Sequence, residues 1–96
     1  MNQGYNNPEI LSMKELEKKY VEYIKEMQRI CSIKDNAIVF DIGFEYEIEL
    51  SRCDTPQKLL SWVYHLSEKT WMTRDIIHYF IRLAAQHHGI DIKIKA

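Results

Sequence analysis

The sequence predicts a small α+β domain with elements in the order α-β-β-α-α-β, its three-stranded antiparallel sheet covered by helices on one face. Three patterns carry that expectation. Apolar residues recur at alternating spacings of three and four across residues 13–30, every even position from 38 to 50 is apolar, and two threonine-started apolar stripes fill residues 54–89.

A chain of 96 residues has room for one core. With 46% hydrophobic and 28% charged residues it lies far from the polar bias that keeps chains unfolded, so residues 8–96 are read as a single folded domain. Thirteen basic and fourteen acidic side chains give a net charge of -1, which supplies no global field toward phosphate or anionic lipid. Binding of that kind requires a local patch.

Residues 1–7, rich in Asn and without periodicity, are expected to be a disordered tail. Met13, Leu16, Tyr20, Tyr23, Met27 and Ile30 then form the apolar stripe of a long helix, opposite a face carrying Lys14, Glu15, Lys18, Glu22, Lys25 and Arg29. The same spacing is a heptad seam, which makes Leu16, Tyr20, Tyr23 and Met27 the candidate contacts of a homodimer. Packing on the chain's own sheet is the other use of that stripe. Lys34, Asp35 and Asn36 end the helical pattern.

The even-numbered run Ile38, Phe40, Ile42, Phe44, Tyr46, Ile48, Leu50 has the period of a strand with one buried face. Uninterrupted, it would reach roughly 40 Å, longer than a domain of this size is wide. Gly43 offers the turn, placing a tight turn or bulge at residues 41–44 and strands at about 37–41 and 44–50. Thr55 followed by Pro56 is a helix start, with Leu59, Leu60, Val63 and Leu66 on its apolar face. A second start at Thr73 leads into Ile76, Ile77, Phe80, Ile81, Leu83 and Ala84, and Gly89 stops that helix. The alternation of Ile90, Ile92 and Ile94 predicts a last strand, which would set Lys93 and Lys95 across from Glu45, Glu47 and Glu49.

Function is less legible. His65, His78, His87 and His88 show no metal-ligand spacing, Cys31 and Cys53 read as structural thiols, and three glycines make no phosphate-binding loop, so neither metal, cofactor nor enzymatic chemistry is expected. The residues MNQGYNNP lack the start of a signal peptide and no apolar run approaches a membrane span, which favours the cytoplasm. Tyr64 and His65 fall off the apolar stripe and Trp71 falls in a connector. With the acidic row Glu45, Glu47 and Glu49 they are the candidate protein-binding residues. Arg74, His78 and Arg82 form an i, i+4, i+8 ridge on the second helix of a helix-turn-helix-like hairpin and are the candidates for nucleic-acid binding, a reading weakened by the long connection and neighbouring Asp75.

The string DTPQKLLSWVYHLSEKTWMT, with its TP cap, WVxHL and EKxW, resembles segments of small accessory proteins of phages, plasmids and bacterial islands. That resemblance implies an accessory role such as inhibition of a bacterial defence complex, in the manner of anti-CRISPR proteins, and transfers no functional residue. The expectation is therefore a non-catalytic protein-protein interaction module, with a nucleic-acid-binding regulator as the alternative.

Overall fold

The structure, a computed structural model, describes residues 13–92. The expected tail at residues 1–7, and Lys93, Ile94 and Lys95, lie outside them. Helix α1 (Met13–Ile30) has Glu15 in its first turn and Arg29 in its last, both favourable to the helix dipole. Its apolar stripe divides along its length. Met27 is buried and Tyr23 and Ile30 pack on the core, whereas Leu16 and Tyr20 stay exposed.

From Ile30 the chain runs straight into strand β1 (Cys31–Lys34), followed by β2 (Ala37–Asp41) and β3 (Glu45–Glu49), which together form an antiparallel sheet in the order β1-β2-β3. Asp35 and Asn36, both at positive φ (51° and 64°), make the two-residue turn that joins β1 to β2. Asx side chains tolerate this conformation, and its twist matches that of the flanking strands. The β2 to β3 loop is residues 42–44, with Gly43 at φ 99°. Three loop residues with Asp41 facing Glu45 preserve the parity of the pattern, so Phe40 faces Tyr46 and Ile38 faces Ile48 on one side of the sheet.

The expected strand boundaries thus hold to within a residue for β2 and β3, and the fold class is α+β with three helices and a three-stranded antiparallel sheet. The third strand, however, is residues 31–34 and not the C-terminal segment, whose described part, residues 90–92, has no strand structure. The described order is α-β-β-β-α-α. Cys31 and Ile33 continue a period-two pattern too short to stand out beside an 18-residue helix, and Cys31 sits where the helical stripe would also put an apolar residue. Glu45, Glu47 and Glu49 face Asp41, Val39 and Ala37 of β2.

A short turn at Leu50–Arg52 leads to the helical hairpin. Thr55 caps α2 (Pro56–Ser67) by accepting from the Lys58 amide at 3.2 Å, and Thr73 caps α3 (Arg74–His88) by accepting from the Ile76 amide at 3.1 Å. Gly89 ends α3 in the left-handed conformation, its amide donating to Ala85 O. The hairpin and the C-terminal half of α1 close one face of the sheet around Phe40, Ile38, Ile48, Leu66, Phe80 and Ala84. On the other face, Ala37 and Val39 are flanked in register by Ser32, Lys34, Glu47 and Glu49, which leaves both nearly covered although no part of the main core reaches them.

Candidate functional site

Two α-helices joined by a six-residue connection pack side by side, and their apolar stripes are wider than the contact between them. Leu59 and Leu66 of α2 point into the core, and Val63 is half-buried beside them. Leu60 and Tyr64 follow one another at i, i+4 on the adjoining shoulder of the helix, where they are 69% and 71% exposed. On α3, Ile81 plays the part of Val63. The chain beyond Gly89 then folds back so that Ile90 and Ile92 reach the same place.

Pro56, Leu59, Leu60, Val63, Ile81, Ile90 and Ile92 together line an open groove of about 240 Å³ between α2 and the end of α3. Every lining residue is apolar. Each apolar residue left in water there forgoes about 25 cal/mol per Å² of burial, which a partner covering the groove would recover.

The sequence-predicted candidates are distributed over separate surfaces. Tyr64 is exposed one turn beyond Leu60 without lining the groove, and the His65 ring stands edge-on to Trp62 at 5.4 Å. Trp71 is half-buried and anchors the α2 to α3 connection to the sheet, with its ring centroid 5.5 Å from Phe40 and 5.4 Å from Tyr46. Lys69 adds a cation over the Tyr46 ring at 5.4 Å. Glu45, Glu47 and Glu49 are exposed on the face of the sheet turned away from the helices, and Glu49 bonds Arg52 at 3.2 Å. The sheet therefore separates the acidic row from Tyr64.

Arg74, His78 and Arg82 are all exposed along α3, and none has an ion-pair partner among the described residues. Arg74, Asp75 and His78 border a separate polar depression. Of the heptad seam, Leu16 and Tyr20 are available on the surface, Tyr23 is partly covered, and Met27 belongs to the core.

Among the described residues no group of three His, Cys, Asp or Glu side chains is placed to hold a metal. Burial pushes the Cys31 thiol up to about 12, and burial with the nearby Asp54 carboxylate raises Cys53, so neither presents a thiolate at neutral pH. The Lys58 ammonium bonded to Asp54 at 3.0 Å holds that carboxyl below its usual range, and the Arg29 guanidinium does the same for Glu26. Both are surface pairs. No helix of the described chain is long and apolar enough to cross a membrane.

Sequence reasoning missed Ile81, Ile90 and Ile92 as surface residues. Ile90 and Ile92 carry a strand-like alternation, and only the fold shows them turned back onto the hairpin. Leu60, which the pattern puts on the apolar face of α2 with Leu59, Val63 and Leu66, is instead 69% exposed, because it sits about 100° around the helix from Leu59 and the core reaches only the Leu59 and Leu66 side. Comparison with family models, curated proteins and solved structures returns no match to this chain.

Proposed function

We propose that this protein is a non-catalytic protein-binding module whose contact surface is the groove between α2 and α3. The observation that supports the reading is Leu60, exposed on the rim of an entirely apolar groove, with Tyr64 exposed one turn further along the same helix. Large side chains held on a rigid helix beside a concave apolar floor are the ingredients of interface anchors. The resemblance of residues 54–73 to phage and plasmid accessory proteins directs the search for a partner to bacterial defence complexes, with inhibition as the role.

The test is affinity capture from a bacterial host after nuclease treatment, comparing the wild-type chain with Leu60→Glu. Leu60 is exposed, so the variant keeps its melting temperature within a few degrees. A protein recovered by the wild-type chain and lost by the variant supports the reading, and recovery unaffected by the variant removes the groove from it.

A nucleic-acid-binding role remains the second reading because Arg74, His78 and Arg82 are exposed and without ion-pair partners among the described residues. It predicts affinity for duplex DNA that falls steeply with salt and disappears when the three are neutralised.

A further inference from the structure

We infer that strand β3, the open edge of the sheet, docks an extended segment of a partner protein, paired antiparallel to it and carrying lysine or arginine at every second position. This surface is separate from the groove, and the inference stands without the reading given above. No described strand lies beyond β3. The Leu50 amide donates to Asn36 O at 2.9 Å, and the register then makes Ile38 with Ile48 and Phe40 with Tyr46 the pairs that exchange bonds between β2 and β3. The main-chain N–H and C=O groups of Glu45 and Glu47, which alternate with them, therefore point outward from the edge. The opposite edge has less room, since β1 is four residues long, continues α1 without a break, and has both α1 and α3 packed against it.

An added strand bonds to these two glutamates, and residues directly opposite in an antiparallel pair share a face. The side chains that meet Glu45 and Glu47 are thus those of the residues that bond to their main chain. Both carboxylates are exposed, and neither has an ion-pair partner among the described residues. Across the sheet Glu45 stands opposite Asp41, a like charge. Arg29, which senses Asp41, is already bonded to Glu26 at 2.9 Å. The edge is left negative, and cations complement it. The same charges exclude a second copy, because β3 paired with itself would set carboxylate against carboxylate.

The face of β3 turned toward the helices selects differently. Tyr46 is half-buried there, with Lys69 over its ring at 5.4 Å and the Trp71 ring centroid at 5.4 Å. A cation on this side meets Lys69, whereas an apolar side chain extends the aromatic surface. Phe44, 58% exposed just before the strand, offers a further apolar contact. Basic and apolar residues must therefore alternate in the occupant, whose main chain supplies affinity while its side chains supply the selection.

The probe is a synthetic heptapeptide of alternating lysine and valine, N-methylated at its valines so that only its lysine amides can pair with a strand. One control carries the methyl groups on the main-chain nitrogens of the lysines, and a second has glutamate in place of lysine. Binding to the full chain is read by fluorescence anisotropy, and amide hydrogen exchange locates it. The lysine peptide is expected to slow exchange at the Glu45 and Glu47 amides and to bind at least about tenfold tighter than either control. Glu45→Gln with Glu47→Gln, both at exposed positions, should weaken it about tenfold, with the difference shrinking as salt rises.

No binding up to millimolar concentration, unchanged exchange at Glu45 and Glu47, or equal affinity of the lysine-methylated control would each overturn the inference, the last because charge alone would then explain the contact. So would binding that Leu60→Glu abolishes and the glutamine double variant leaves intact, which would move the peptide to the groove. A tenfold gain in peptide affinity on Lys93→Glu with Lys95→Glu would also overturn it, giving the edge to the chain's own C-terminal residues.

Discussion

Cys31 joins α1 to the sheet and is almost wholly enclosed, so its thiol ionises far more easily in the unfolded chain than in the folded one. Its folded pKa is raised, from 9.0 to about 12, so the stability it supports is complete below the unfolded value and is lost as pH rises through that window. Thermal midpoints should fall between pH 9 and 11, with this one proton contributing a slope of up to about 1.4 kcal/mol per pH unit. Cys31→Ala should melt lower at pH 7 yet lose less of its stability over the same range. Parallel pH profiles for wild type and variant would show that Cys31 is not the source. The sequence marked this residue only as a buried thiol. That it is a sheet residue follows from its register opposite Phe40.

At the scale of elements, the turn at Asp35 and Asn36 decides which strands make the sheet. Both residues are at positive φ, where glycine is free of strain and β-branched residues are not. Asn36→Gly should hold or raise stability by a few tenths of a kcal/mol and Asn36→Val should cost more than about 1 kcal/mol, measured by urea unfolding. A tolerated valine would mean that the β1 to β2 hairpin is not held by its turn. This element also shows where sequence reading stops. The helix caps at Thr55 and Thr73, the stop at Gly89 and the strands around Gly43 were legible because each rests on local chemistry. The strand at residues 31–34 was not, because four residues do not establish a period and the preceding stripe absorbed Cys31. The same limit hid the groove, since whether Ile90 and Ile92 pair in a sheet or fold onto a hairpin is a tertiary choice.

For the molecule as a whole, Phe40 is the residue through which every layer touches. It is fully buried, and its ring centroid lies 5.7 Å from Phe80 of α3, 5.5 Å from Trp71 of the connection and 6.1 Å from Tyr46 of the neighbouring strand. Phe40→Ala should cost about 3–5 kcal/mol, a large part of the 5–15 kcal/mol typical of a domain, and should blue-shifted Trp71 emission be its native signature, that signature disappears. A loss below about 1 kcal/mol in urea titration would show that the layers are held together elsewhere. The three strands are also consecutive in the chain, all within residues 31–49. During synthesis the sheet residues therefore leave the ribosome ahead of Phe80 and Ala84, the side chains that cover them, which are still to emerge. At roughly 5–20 residues per second this interval lasts a few seconds. Nascent chains stalled just after the sheet should bind holdase chaperones through its bare apolar face, and chains released past Gly89 should not.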